Sequence, residues 1–486
     1  GAAGPNAGPY FYDLTIPDAT PLSAGSVAKI KARAVDPINQ ANVSVETASA
    51  AFEVKGSLTV ATPTATGISL VYGGSPYNIT WTKGGAITNV KLYYSTNGGG
   101  NYSSFPINGG VAVPVTPASY AWTVPDNIGN NLVIRVVDNN NANVFDVSDN
   151  SFTILGSVVL NQPDTTITHW YVGDTNSILW TPTGTYGGSI WPNVEFHYDP
   201  DAVAGVFGGA DVAAVAPDAT KANTATLVQG TANWLIPDAI GSNVKVRVRV
   251  AGSPTTIEDI TTNAFKIVGK ITAITGPVAG EVWYAQDTTR KIKWSATGNV
   301  STVNIDYKTS AGGAWVNIVT GATTGGGNIV GVGASEYTWP SIPIGLKTED
   351  AYIRVSDNRY PNETTFSMPA AFSIRPKINV TSPAVTEQLV VGTLYTNKIT
   401  WQQVQGNSVS FVDVFYSIDG GTSYVATPIA SAVATGTTPV SINWTIPDAI
   451  GANVVVKVQD NAAGFANVNG VSPVFKIKGG LTLTAP

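Results

Sequence analysis

The 486 residues contain no cysteine, one methionine and two histidines. Without cysteine there is neither a disulfide framework nor a thiolate metal site, so stability has to come from packed cores, and the redox compartment is left open. Charge is scarce too: Asp, Glu, Lys and Arg make up 12% of the chain, the net charge is −6, and no stretch clusters Lys with Arg. That argues against a nucleic-acid partner, because neutralising phosphates takes grouped cations. A mildly acidic surface suits divalent cations better. No run approaches the ~20 apolar residues of a membrane span, and the start, Gly1-Ala2-Ala3-Gly4-Pro5, lacks the cationic and apolar regions of a signal peptide. Helical periodicity is sustained nowhere, and 50 Gly with 30 Pro would interrupt helices throughout.

What the chain does have is a repeat. Phe52, Phe152, Phe265, Phe372 and Phe475 each sit in a short β-type segment such as Ser151-Phe152-Thr153-Ile154, at spacings of 100, 113, 107 and 103 residues. Upstream lies a second landmark, Trp122-Thr123-Val124-Pro125-Asp126, Trp234-Leu235-Ile236-Pro237-Asp238 and Trp444-Thr445-Ile446-Pro447-Asp448. Leu14 to Asp18 is a version without Trp, and Trp339-Pro340-Ser341-Ile342-Pro343 a divergent one without Asp. A third landmark is an early Trp, at Trp81, Trp180, Trp294 and Trp401. After each Pro-Asp turn the residues alternate, most plainly in Val244-Lys245-Val246-Arg247-Val248-Arg249-Val250, with valines on one face and cations on the other. That is the pattern of a half-buried antiparallel strand.

Strands of five to eight residues separated by Gly, Asn, Pro and Asp, in units of this size, predict two sheets packed face to face. The fold class is therefore all-β, with tandem immunoglobulin-like β-sandwich domains in an elongated array. The expected domains are a partial one at 1–55 holding only later strands, then 56–155, 156–268, 269–375 and 376–478, with 479–486 as the first strand of a further unit. The four early tryptophans are expected to be core residues. Joints such as Lys55-Gly56-Ser57 and Leu155-Gly156-Ser157 leave almost no linker, which favours restricted bending.

The third complete unit shows the succession plainly: Gly280-Glu281-Val282-Trp283-Tyr284, Ile292-Lys293-Trp294, Val303-Asn304-Ile305-Asp306-Tyr307, Tyr337-Thr338-Trp339 and Ile353-Arg354-Val355-Ser356-Asp357. It resembles the repeat of the Ser/Thr-rich glycolipid-anchored wall proteins of yeasts and of many bacterial and archaeal surface proteins. All four complete units share it at least in part. The resemblance implies a sandwich and an extracellular, cell-surface setting, and it brings no catalytic residue. The chain departs from the yeast proteins in having no Ser/Thr-rich stalk and no hydrophobic anchor tail, which points instead to prokaryotic surface-layer proteins.

Chemistry has few candidates. His169 and His197 both fall in one unit, so neither belongs to the repeated design; alternation puts Glu195 beside His197 on a strand face expected to be solvated. The glycines at 325–327 and 331–333 lack the Lys-Ser/Thr pair and the helix of a phosphate loop. An Asp follows a strand cation by three residues at Arg33/Asp36, Arg135/Asp138, Arg354/Asp357 and Lys457/Asp460. Such an Asp can bond the amides of its own turn. Asp138, Asp146 and Asp149, however, share one Asn-rich loop, and oxygen-rich loops of that kind bind Ca²⁺. They are the candidate metal ligands, with no cofactor required. Asn-X-Ser/Thr triplets at Asn42, Asn78, Asn101, Asn299, Asn362, Asn379 and Asn443 make glycans a possible attachment, although Asn78 and Asn443 adjoin core residues.

The sequence thus predicts a non-enzymatic structural protein that self-associates into a surface coat (surface layer) or filament, with Ca²⁺ promoting assembly. An adhesin stalk and a carbohydrate-binding array, the latter using Trp191 or Trp315, are the alternatives.

Overall fold

The computed structural model describes residues 11–23, 25–35, 42–185, 193–203, 206–208, 212–225, 227–251, 257–323, 334–482 and 484. Asp36, Trp191 and the glycine runs at 325–327 and 331–333 lie outside them. Two compact units result: Gly1–Ile167 with Asn176–Trp234 and Lys245–Ala264, and Thr168–Thr175 with Leu235–Val244 and Phe265–Pro486. Among the described residues the regular elements are strands, apart from a single 3-10 turn at Ile107–Gly110.

The last repeat shows the plan. Lys377–Ser382, Leu394–Gln405 and Val440–Thr445 form a three-stranded sheet in that order. A larger sheet runs Gln388–Val390, Phe475–Lys478, Gly451–Asp460, Phe411–Ser417 and Ala430–Ala434, and Asn469–Val471 pairs additionally with Gly451–Asp460. Gln388–Val390 lies parallel to Phe475–Lys478, while the other pairings are antiparallel. The two sheets close over one core in which Ile399 and Trp401 of the first meet Val412, Val414, Val454, Val456, Val458 and Phe475 of the second. The same orders recur in the other complete repeats, beginning with Ser57–Thr62, Ser157–Gln162 and Lys270–Gly276. Ahead of them, Lys31–Val35 and Asn42–Ala48 form an antiparallel pair.

These sandwiches are tandem immunoglobulin-like, all-β units, and the residues that build them are those whose alternation is visible in the sequence. Trp81, Trp180, Trp294 and Trp401 are 2%, 1%, 1% and 0% exposed, so all four are core residues. Val244, Val246, Val248 and Val250 are buried while Lys245, Arg247 and Arg249 stay half-exposed.

Among the described residues Arg135, Arg354 and Lys457 do not pair with the Asp three residues on, because residues three apart on a strand point to opposite faces. These three, and Arg247 at the equivalent position, lie over aromatic rings: Arg135 is 3.9 Å from the Phe145 centroid, Arg247 4.7 Å from Phe207, Arg354 4.7 Å from Trp315 and Lys457 4.3 Å from Tyr424. Such contacts contribute about 0.5–1 kcal/mol at exposed sites.

One ion pair ties two neighbouring strands of the third sandwich and makes it sensitive to acid. Glu349 accepts from Arg375 at 2.8 and 2.7 Å and from the Ser373 hydroxyl at 2.8 Å. The Arg375 hydrogen bonds hold its carboxyl below the ordinary 4.5, outweighing burial, which pushes the other way. A depressed folded-state value means the contribution is complete above the ordinary carboxylate range and is lost as pH falls through the lowered value. Glu349→Gln is therefore expected to lower the thermal midpoint at neutral pH and to flatten its fall below about pH 4, as read by calorimetry across a pH series.

Candidate functional site

The sites repeated along the chain are the joints between consecutive sandwiches, and the Pro-Asp landmark builds them. At the first, Asp18 Oδ1 accepts the Gly85 backbone N–H at 2.9 Å. At the second, Asp126 Oδ1 accepts the Thr185 N–H at 2.7 Å. At the third, Asp238 Oδ1 accepts the Asn299 N–H at 2.8 Å. In each case the aspartate sits in the turn that leads into the later strands of one unit, and the donor lies just past the Trp strand of the next. Proline before the Asp fixes the turn, and a carboxylate accepting an N–H is a charge-assisted bond. The divergent Trp339-Pro340-Ser341 turn has no Asp, and there the roles change: Asn407 N–H donates to the Ile344 carbonyl at 3.1 Å, and Gly406 N–H to Gln286 Oε1 at 2.9 Å.

Close approach at the joints requires glycine. Gly184 has φ +102°, and a Cβ on it would stand 2.5 Å from Ile128 Cδ1 and 3.2 Å from the Gly156 Cα. Gly298, at φ +78°, faces Val172 in the same way, with 2.9 Å to its Cβ. Ionic contacts add to the third and fourth joints. Glu363 takes Lys266 through its carboxylate and the Tyr171 hydroxyl through its carbonyl, the latter at 2.7 Å. Lys347 reaches across to Asp460 at 2.7 Å, with 15% and 2% of the two side chains exposed.

The residues singled out from sequence are placed as follows. Asp138 is 3% exposed, and its Oδ1 accepts the Asn140 N–H at 3.0 Å. Asp357 and Asp460 do the same with Arg359 and Ala462, so the strand-exit aspartate caps its own turn. Asp146 lies on the short strand Phe145–Val147, where its Oδ2 accepts the Val60 N–H at 2.7 Å, and Asp149 is exposed. Among the described residues no three acidic or histidine side chains are grouped as metal ligands.

Glu195 and His197 share a face of Asn193–Asp199, as alternation requires, but that face is half-buried rather than solvated, because Arg247 and Arg249 of the paired strand cover it. Glu195 is held to Arg249 at 2.6 Å, and this bond keeps its carboxyl below the ordinary range. Burial first, then Arg247 and Arg249, push His197 down, which leaves it neutral near pH 7, with its buried Nδ1 lacking a partner. A carboxylate pinned by a guanidinium is not available as a base to a neighbouring imidazole. The Trp315 ring is occupied by the chain's own cations, Arg354 at 4.7 Å and Lys308 at 4.8 Å.

No protein-family model matches the sequence, and no curated protein matches it. Among solved structures, the chain is similar to the D1–D4 ectodomain fragment of ICAM-5, at 10% identity over 87% of this chain and 100% of that one, with a TM-score of 0.26. It is similar to the N-terminal eight Ig domains of Down syndrome cell adhesion molecule, at 10% identity over 85% of this chain and 53% of that one, TM-score 0.17. It is also similar to the three N-terminal domains of the highly immunogenic outer capsid protein of bacteriophage RB49, at 12% identity over 66% and 99%, TM-score 0.21. Likeness of this degree carries no argument about function, and the fold rests on the sheets described above.

Proposed function

We propose that the chain is a structural, extracellular array of immunoglobulin-like sandwiches that works by self-association into a cell-surface coat or filament. The observation that carries this reading is the joint: at three successive joints an aspartate of one unit, the leading partial one included, takes a backbone N–H of the next. A device repeated at every Pro-Asp turn that precedes a sandwich serves the geometry of an array rather than a reaction, and no residue set in the described chain has nucleophile, base and orienting group together. Sheet edges supply the association surface. Ser119–Trp122 and Val440–Thr445 are edge strands without a charged residue, and uncharged edges are open to pairing with another chain. The sparse charge of the surface opposes such contact only weakly.

The double variant Asp126→Ala, Asp238→Ala tests the reading. Each loss removes a charge-assisted hydrogen bond of about 1.5–3 kcal/mol, so the chain should become more flexible in small-angle scattering, while ordered sheets or filaments seen by electron microscopy of the unaltered protein should disappear. An unaltered chain that stays monomeric at high concentration defeats the coat reading and leaves the stalk.

A further inference from the structure

The strand-exit position is occupied by Asp138, Val250, Asp357 and Asp460 in the four complete sandwiches, facing Val90, Val194, Val303 and Val412 on the neighbouring strand. The three aspartates are 3%, 0% and 3% exposed. A carboxylate buried to that degree needs a compensating positive charge as well as its hydrogen bonds. Asp357 has one two residues on, since Arg359 reaches its Oδ2 at 3.1 Å and its Oδ1 at 3.3 Å. Asp460 has one from the preceding sandwich, Lys347 at 2.7 Å. Val250 has no charge to compensate. Asp138 is the exception: residue 140 is Asn rather than Arg, and among the described residues its Oδ2 has no hydrogen-bond or ionic partner.

Asp138 lines a cavity of about 310 Å³ at the first joint, together with Ser23, Lys55, Thr88, Asn140 and Asn141. A second carboxylate adjoins this cleft. Asn141 Nδ2 donates to Glu53 Oε1 at 2.8 Å, and Glu53 Oε2 meets Lys55 at 2.9 Å. The Lys55 side chain is 42% exposed, free to extend into solvent. Two carboxylates and one half-exposed ammonium leave the cleft with net negative charge, amide and hydroxyl oxygens around it, and room for waters.

We propose that this cleft is a calcium site, with Asp138 and Glu53 as its carboxylate ligands and Lys55 swinging out as the ion enters. One divalent ion then neutralises both carboxylates and replaces the internal cation that the third and fourth sandwiches carry. Oxygen ligands in number, with waters completing a flexible shell, match Ca²⁺ rather than the rigid octahedron of Mg²⁺. The ion would bridge the two sides of the joint, since Glu53 precedes it and Asp138 follows it.

The test is calorimetric titration of the whole chain with CaCl₂, alongside thermal unfolding in calcium and in chelator. One site per chain is expected, with a dissociation constant of about 10⁻⁴–10⁻³ M, as in extracellular modules. Asp138→Asn keeps the turn's hydrogen bond and should abolish binding. Asn140→Arg reproduces the Asp357–Arg359 arrangement; it should also abolish binding, while holding the midpoint in chelator at or above that of the unaltered chain. Lys55→Gln should tighten binding severalfold. No heat of binding up to about 10 mM calcium, or binding that survives both Asp138→Asn and Asn140→Arg, overturns the proposal.

Discussion

Replacing Trp401 by alanine is expected to cost the last sandwich about 3–5 kcal/mol. The indole is fully buried and fills the space between Ile399 and the valines of the facing sheet, and its Nε1 donates to Thr435 Oγ1 at 2.9 Å. Removing it leaves a cavity that a sheet pair held by backbone bonds cannot collapse to fill, and strands Thr435's hydroxyl without its donor. Because the chain has several cores, one unfolding free energy is not defined for the whole of it. Hydrogen exchange is the measurement that resolves the effect, with protection lost in Leu394–Gln405 and Gly451–Asp460 and kept in Tyr77–Gly84. Equal loss everywhere would mean that the sandwiches do not unfold separately.

Gly184→Val is the second large effect, and it acts at a joint rather than in a core. A β-branched residue at φ +102° incurs about 1–2 kcal/mol of backbone strain, and a Cβ 2.5 Å from Ile128 Cδ1 forces an overpacking cost of about 1–3 kcal/mol more. The neighbouring Thr185 N–H is then displaced from Asp126. The expected result is faster proteolytic cleavage at this joint and a lowered calorimetric transition, with Gly184→Ala intermediate. Gly67→Ala provides the control: it also has positive φ, but nothing lies near its missing Cβ, so strain alone should register. Identical behaviour of Gly184→Val and Gly67→Ala would remove close approach from the account of the joint.

Much of the fold is legible in the sequence because its signal is local. The period-two alternation of Val244 to Val250 and the recurrence of Trp and Phe need only neighbouring residues, and burial follows from them directly. The short strands escape that reading: Phe145–Val147 and Glu258–Ile260 are three residues long, too brief for a period to show, and each is held by pairing with the long strand just before it. The joints escape it for another reason. The Pro-Asp turn stands out as a landmark, but its partner is a main-chain N–H some sixty residues on, and a main-chain donor leaves no mark on residue identity. One trace exists. The unit lacking the Asp is the one whose joint relies on Gln286 instead. Linear proximity also misleads in the loop of Asp138, Asp146 and Asp149, where strand geometry sends Asp146 to Val60 and leaves Asp149 on the surface. Glu53, tied through Asn141 to the turn that Asp138 caps, is 85 positions away from Asp138 in the chain, and no spacing rule joins the two.

The same indifference of the donor has a consequence for how such a protein changes over time. Gly85, Thr185 and Asn299 are three unrelated side chains that offer one identical group to the aspartate before them. A repeat that carries the Asp, duplicated in one piece, therefore meets a neighbour whose main chain already offers the matching donor. Length becomes adjustable in steps of a whole repeat, while the surface residues of each copy are free to diverge toward new uses.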